Sequence, residues 1–298
     1  MIVINLANPQ NSQISYKIIK FPDGQQQFQF EGYQIGLVKE YANPNSDCQI
    51  LIKSRLNNFA DLELICCAVA TLRELDIKNI HLYAPYFLGG RSDRKFGEGS
   101  NNYLKSVICP IINSLNFKSV TVMDPHSDVL EACLNNFRKI NNFALVDDAL
   151  SYLIGEDEED QVVLVSPDAG AYKKVFDVAQ KFRIEKIITA TKVRDLKTGQ
   201  ILHTEVPVLD QHKHLKYVIV DDICDGGRTF IEISKALRGS RPTAKIYLVV
   251  THGIFSAGFS ELGDYFDGIY TTNSIKDISN AGTNSRTEPI NFKQLNVF

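Results

Sequence analysis

Nowhere does the chain carry an apolar run near the roughly 18 residues that a bilayer-spanning helix needs, so an ordinary transmembrane helix is excluded. Its N-terminus, MIVINLANPQ, lacks a charged n-region and a long apolar core, and reads as a first strand rather than a signal peptide. No C-x-x-C spacing occurs among the six cysteines, Cys48, Cys66, Cys67, Cys109, Cys133 and Cys224. That argues against a zinc ribbon or disulfide framework and for reduced thiols in a cytoplasm. Excess charge of one sign is also missing. A net charge of −3 gives no global reason to expect nucleic acid or a membrane surface as partner. What remains is an ordinary globular composition, 44% hydrophobic and 22% charged over 298 residues, enough for one large domain or two of usual size.

Short apolar runs alternate with helical periodicity along the whole length. Met1 to Leu6 reads as a strand. Ile14 to Phe21 and Gln27 to Glu31 form a hairpin about Pro22-Asp23-Gly24, with Phe28 and Phe30 on one face. Gln49 to Lys53 follows as a strand, and Leu62, Ile65, Val69 and Leu72 mark an amphipathic helix opened by Asp61. Ile80 to Ala84 is a buried strand. Leu104 to Leu115 is a helix that Pro110 must kink or break. Ser119 to Met123 is a strand, and after Asn141 the pattern restarts. Five acids, Glu156 to Asp160, form a solvated loop. Strands then recur at Val162–Val165, Lys186–Thr191, Ile201–Val206, Lys245–Thr251 and Gly268–Ser274. The alternation predicts an α/β architecture with largely parallel sheets in two halves, 1–141 and 142–298.

The most informative stretch is Tyr217-Val-Ile-Val-Asp221-Asp222-Ile-Cys-Asp225-Gly226-Gly227-Arg228-Thr229, followed by a helical run. The run Tyr217 to Val220 predicts a strand covered on both faces. Gly226 and Gly227 allow close approach of a ligand, and the N–H groups opening the helix favour an anion. Asp221 and Asp222 suit sugar hydroxyls or a hard cation. Acids beside an anion cradle point to a sugar phosphate; the bland reading is a surface βα turn. Cys224 is expected to pack beneath the turn rather than act as a nucleophile, since His212 and His214 lie on the far side of the strand.

Other candidates follow strands in the same way. Arg91, Arg94 and Lys95 put three cations into a glycine-bearing loop, which suits a polyphosphate or a merely solvated surface. Asp124-Pro125-His126-Ser127-Asp128 offers a divalent-metal corner, or a helix start capped by Ser127 or Asp128. Asp168 ends Ser166-Pro167-Asp168-Ala169-Gly170 at another strand. Lys192 and Arg194 lie in a polar connection that reads as a hairpin or as a lid over phosphates. Ligands of open α/β sheets sit at such carboxyl edges.

In order and with few gaps to about Ile275, these motifs resemble the ribose-phosphate pyrophosphokinase family. The matching segments are Phe21-Pro22-Asp23-Gly24-Gln25, Pro85-Tyr86 with Arg91-Ser92-Asp93-Arg94-Lys95, Asp124-Pro125-His126, Ser166 to Gly170, Lys192-Val193-Arg194, the Asp221 motif and Thr272-Asn273-Ser274-Ile275. The resemblance implies two related phosphoribosyltransferase-like domains, each a mostly parallel sheet flanked by helices. One is an ATP-contributing domain at 1–141. The other binds ribose 5-phosphate at 142–298, with the tail 281–298 packing back on the first. It implies transfer of the diphosphoryl group of ATP to the 1-hydroxyl of ribose 5-phosphate, giving phosphoribosyl pyrophosphate (PRPP) and AMP with Mg²⁺ as cofactor.

By the same resemblance, Phe21, Asp23, Gln25, Arg91, Ser92, Asp93 and Lys95 bind ATP, the first three at a neighbouring subunit. Asp221 and Asp222 hold the ribose hydroxyls, and Asp225, Gly226, Gly227, Arg228 and Thr229 take the 5-phosphate. His126 and Asp168 ligate Mg²⁺ directly or through water, while Lys192 and Arg194 close over the transferred group. A homo-oligomer built from dimers is implied, a hexamer being one such form. The chain departs from the family at Gln25, Ser92 and Gly226-Gly227-Arg228. Two rival readings are a PRPP-consuming phosphoribosyltransferase and a non-catalytic regulatory homologue.

Overall fold

A computed structural model describes residues 1–41, 49–153, 162–194, 201–207 and 215–298, with the side chains of residues 41, 192–194 and 201–203 outside that description. The acidic run 156–160, Cys48, His212 and His214 therefore lie outside the described residues. The chain divides into two compact units, Met1–Asn141 with Phe298, and Asn142–Val297.

In the first unit, β1 (Ile2–Asn5) leads to an antiparallel hairpin of β2 (Tyr16–Lys20) and β3 (Gln26–Phe30), and then to α1 (Gly32–Tyr41). Next come β4 (Ile50–Lys53), α2 (Phe59–Glu74), β5 (Ile80–Tyr83), α3 (Cys109–Ser114), β6 (Ser119–Met123), α4 (Val129–Cys133) and β7 (Phe137–Ile140). The sheet order β1-β4-β5-β6-β7 is wholly parallel and follows the chain. Right-handed crossovers that always advance the same way put their helices on one face. The side chains show this: Ile4, Ile50, Ile52, Ile80, Leu82, Val120 and Val122 are buried in one cluster with Leu62, Ile65, Val69 and Leu72 of α2. Leu51, His81, Tyr83 and Thr121, pointing the other way, are only half-buried. The hairpin packs on α2 through Phe28 and Phe30, both buried, with Phe28 stacked on Tyr16 at 4.8 Å.

Two local expectations are corrected and one is met. Helix α2 is opened by Asn58, whose side chain accepts from the Asp61 N–H, while the Asp61 carboxylate accepts from the Asn57 N–H at 2.8 Å. This reciprocal arrangement satisfies two otherwise unpaired donors. Pro110 falls at a break between two helical segments, as expected. A π-helical segment, Leu104–Ile108, runs directly into α3 with Pro110 in its first turn, where a missing N–H costs nothing. At α4 the N-cap residue is Asp128, but its side chain makes no capping bond, and Ser127 Oγ has no hydrogen-bond partner in the structure.

The second unit opens with α5 (Phe143–Leu153), β8 (Val162–Ser166), α6 (Tyr172–Phe182) and β9 (Ile187–Thr189). A hairpin follows, β10 (Thr191–Arg194) with β11 (Ile201–Glu205), then β12 (Lys216–Cys224), α7 (Arg228–Ser240), β13 (Lys245–Gly253), α8 (Ser260–Tyr265), β14 (Gly268–Thr272) and β15 (Phe292–Leu295). Its parallel sheet has the order β15-β14-β13-β12-β8-β9. The chain steps one way from β8 to β9 and the other way from β12 onward, so helices cover both faces. Val163, Val165, Tyr217 and Ile219 pack with α7 and α8 side chains such as Ile233, Leu237 and Leu262. Val162, Leu164, Val218 and Val220 pack with Val146, Leu150, Val175 and Val178 of α5 and α6. Full burial contributes about 1.5–3 kcal/mol per side chain of this kind. Burial on both faces is why these strands read as unbroken β-branched runs.

The two halves are topologically related. In each, the first strand pairs with the strand that follows an antiparallel hairpin, and later strands add in order beyond it, with β9 added on the outer side of β8 in the second unit.

Candidate functional site

Strand β12 runs farther than its apolar residues indicate. It continues through Asp221, Asp222 and Ile223 to Cys224, because β13 keeps pairing with it: Asp221 lies opposite Val250, Ile223 opposite His252 and Cys224 opposite Gly253. Pairing with β8 stops at Ile219 opposite Val165. The two acids thus occupy a strand edge that β8 has vacated, at the point where strand order reverses. That crevice is where open α/β sheets bind ligands.

Asp222 is buried and Asp221 half-buried. The Asp222 N–H donates to Asp221 Oδ1 at 2.9 Å. Burial, and next the Asp222 charge beside it, push the Asp221 carboxyl well above the ordinary carboxylate range. Lys174 on α6 opposes this through an ion pair from Nζ to Asp222 Oδ2 at 3.0 Å. The Cys224 thiol is fully buried, and burial with the Asp221 and Asp225 charges lifts it to about 12. It packs under the turn, as expected, and is not a thiolate near neutral pH.

Beyond Cys224 the chain turns into α7. Gly227 takes a left-handed φ of 84°, and a Cβ there would stand 2.8 Å from Leu262 Cδ2, so glycine is required twice over. Gly227 is also the N-cap residue and offers no side chain to the first-turn N–H groups. These amides, with the helix dipole behind them, form an anion cradle. Arg228 is the first helical residue and is exposed. Ser256, from the turn after β13, fastens the loop: its Oγ donates to Asp225 Oδ1 at 2.7 Å and its N–H to the Asp225 carbonyl at 3.1 Å.

At the neighbouring edge, Ser166 Oγ donates to the Asp168 carbonyl at 2.7 Å, while Asp168 Oδ1 accepts from the N–H groups of Gly170 and Ala171. Asp168 thereby shapes the entry to α6, which carries Lys174. The structure brings Asp168, Asp221, Asp222 and the loop Asp225–Thr229 to adjacent strand ends of the second unit. Lys192 and Arg194 lie on β10, where Lys192 pairs with Thr204.

Within the first unit, the connections after β5 and β6 leave adjacent strand ends. Ala84 N–H donates to the Thr121 carbonyl and Met123 N–H to the Pro85 carbonyl, both at 3.0 Å. This places the loop carrying exposed Arg91 and Lys95 beside the Asp124–His126 corner. Ser92 and Asp93 are tied into that loop by backbone bonds, Leu104 N–H to Ser92 O and Asn102 Nδ2 to Asp93 O. Asp124 is buried in a left-handed conformation, φ 42°, and His126 is exposed. At the hairpin tip Phe21, Asp23 and Gln25 are exposed, beside the first turn of α2, where Gln26 Nε2 donates to the Ala60 carbonyl.

Among the described residues no three His, Cys, Asp or Glu side chains converge as a metal centre. In the second unit Asp168 offers a carboxylate that fits a Mg²⁺ ion arriving with substrate phosphates as most of its oxygen ligands, and in the first unit His126 offers an exposed imidazole. They do not fit a resident structural cation.

Lys174, Ser256 and His252 escaped the sequence motifs. His252 is buried at the end of β13 with Nδ1 2.8 Å from Ser274 Oγ, in a polar cluster with Thr251 and Thr272. No local spacing signals any of the three, because each partner lies on a distant segment of the chain.

The parallel sheet, its switch-point acids and the glycine loop define an α/β protein with a ligand crevice at the end of β12. Residues 136–258 match the phosphoribosyl transferase domain family. The ribose-phosphate pyrophosphokinase of Mycoplasmopsis pulmonis is 27% identical over 225 residues, covering 74% of this chain and 65% of that protein, just under two thirds of its length. That of Sulfurisphaera tokodaii is 27% identical over 270 residues, 88% of this chain and 84% of that one. The fold matches the solved phosphoribosylpyrophosphate synthetase from Mycobacterium smegmatis with a TM-score of 0.72 at 16% identity, over 97% of this chain and 88% of the other. In sequence the chain is thus similar to ribose-phosphate pyrophosphokinases, the family that its motifs resemble.

Proposed function

We propose that this protein transfers the diphosphoryl group of ATP to the 1-hydroxyl of ribose 5-phosphate, releasing AMP and forming PRPP. One observation carries the reading: an acid pair and a glycine-walled anion cradle share the switch-point crevice of the second unit. A sugar phosphate has hydroxyls and a phosphate at matching ends. Relatives named ribose-phosphate pyrophosphokinase support the choice of reaction.

In this proposal Asp221 and Asp222 hold the ribose hydroxyls, and the amides of Asp225 to Thr229 receive the 5-phosphate. ATP is assigned to Phe21, Asp23 and Gln25 at the hairpin tip and to the loop Arg91, Ser92, Asp93 and Lys95. Lys192 and Arg194 neutralise charge on the transferred group. Phosphoryl chemistry depends on positioning and charge neutralisation more than on covalent catalysis. His126 and Asp168 would hold Mg²⁺, which when bound supplies charge neutralisation on phosphate oxygens. We assign the adenine contacts to a neighbouring copy in a homo-oligomer of dimers. The cytoplasm is the assigned compartment, in keeping with five free cysteines among the described residues.

The match to the phosphoribosyl transferase domain favours a second reading, an enzyme that consumes PRPP. Purified protein with Mg²⁺, ATP and ribose 5-phosphate decides between them. AMP and PRPP should accumulate in equal amounts. No AMP above background, or pyrophosphate release from added PRPP with a base, overturns the synthetase reading.

A further inference from the structure

The acid pair of β12 is gripped by a cation from another element. Lys174 lies in the first turn of α6, the helix that follows β8, and reaches past the end of β8 to Asp222. Its Nζ is 3.0 Å from Asp222 Oδ2, with the two side chains only 22% and 6% exposed. On the other side of Asp222, its backbone N–H donates to Asp221 Oδ1 at 2.9 Å, which sets the two carboxyl groups side by side. The result is a chain, Lys174 to Asp222 to Asp221, ending in the half-buried carboxyl at the crevice.

Two buried carboxyl groups in contact do not both ionise readily. A single lysine on one of them decides which keeps the charge and fixes its orientation. The charged or titratable groups around Asp221 are Asp222, Asp225 and Cys224 from its own segment and Lys174 from α6. Lys174 brings the positive charge, with its Nζ 3.0 Å from Asp222 Oδ2. Such a buried ion pair contributes little net stability compared with apolar packing, so its value lies in specificity.

We propose that Lys174 is a positioning residue for sugar recognition. By holding Asp222 as an oriented carboxylate, it makes the acid pair a polarised acceptor and donor matched to a vicinal diol, and so sets discrimination between ribose 5-phosphate and its 2-deoxy analogue. This rests on the sugar-phosphate reading of the β12 site. A site built to bond a hydroxyl rejects the analogue that lacks it, because its own polar groups are then left unpaired.

The test compares wild type, K174M and K174R with ribose 5-phosphate and 2-deoxyribose 5-phosphate. Binding is measured by calorimetry and turnover by AMP formation with Mg-ATP. K174M should lose about 10-fold or more in the ribose-to-deoxyribose preference, the scale of one lost charge-assisted hydrogen bond. KM for ATP should stay within about twofold, and K174R should restore most of the preference. Thermal melting reports folding, with K174Q substituting if K174M does not fold. An unchanged preference in the lysine variants, whatever their melting temperatures, overturns the proposal and makes Lys174 a structural ion pair. If wild type binds ribose 5-phosphate selectively and K174M loses that selectivity while no AMP forms, Lys174 keeps its role and the synthetase reading falls. Wild-type binding without any ribose preference overturns the Lys174 proposal itself.

Discussion

Replacing Gly227 by alanine probes the anion cradle at its most constrained point. Gly227 sits at φ 84°, and an added Cβ would lie 2.8 Å from Leu262 Cδ2 and 3.2 Å from its Cγ. The left-handed conformation costs an alanine about 1–2 kcal/mol. Moving the buried Leu262 off its preferred rotamer costs about 0.5–1.5 kcal/mol more. A loss of about 1.5–3.5 kcal/mol lowers the melting temperature by roughly 3–14 °C for a unit of this size. Gly226→Ala is the internal control. Its Cβ would meet Ser256 Oγ at 3.7 Å and Ala257 Cβ at 3.9 Å, ordinary contact, so the fold should melt within about a degree of wild type. Both variants should weaken binding of ribose 5-phosphate, Gly227→Ala by displacing the amides and Gly226→Ala by placing a methyl group where the ligand approaches. Scanning calorimetry and titration with ribose 5-phosphate read the two effects separately. Unchanged melting in Gly227→Ala would refute the backbone argument, and unchanged binding in Gly226→Ala would refute the cradle.

Four further outcomes are expected. Because its folded-state carboxyl is raised, Asp221 detracts from stability as pH rises from the ordinary carboxylate range through its shifted value, so Asp221→Asn should gain melting temperature over wild type at neutral pH and not near pH 3. The same variant should lose sugar-phosphate binding, and parallel melting curves at all pH values would count against the burial argument. Lys192→Ala should lower turnover by on the order of 10³ while ATP binding stays intact; equal loss of both makes β10 a structural element. Ser256→Ala removes the bond to Asp225 and should raise KM for ribose 5-phosphate about 3–10-fold with little change in melting, which steady-state kinetics will check. Finally, specific activity should fall on dilution as an oligomer dissociates, and constant activity in a monomer by light scattering would remove the shared nucleotide site.

Much of this molecule was legible from residue order alone, for local reasons. The β-branched runs Val162–Val165 and Tyr217–Val220 declare strands because both sheet faces of the second unit are covered. Pro22-Asp23-Gly24 declares a hairpin because few other residues take that turn. The pattern Asp221 to Thr229 marks a candidate anion site, since its glycines and acids lie within one connection. What no local pattern contains is pairing between distant segments. Asp221 and Asp222, poor strand formers, are drawn into β12 only because β13 continues alongside them. Lys174 meets Asp222 across 48 positions, where strand order reverses between β8 and β12, and Ser256 meets Asp225 across 31, where β12 and β13 end side by side. Residue order therefore determined which chemical groups the crevice owns. Tertiary structure alone decided which of them touch, because hydrogen bonding and charge act over a few ångströms of space regardless of separation along the chain.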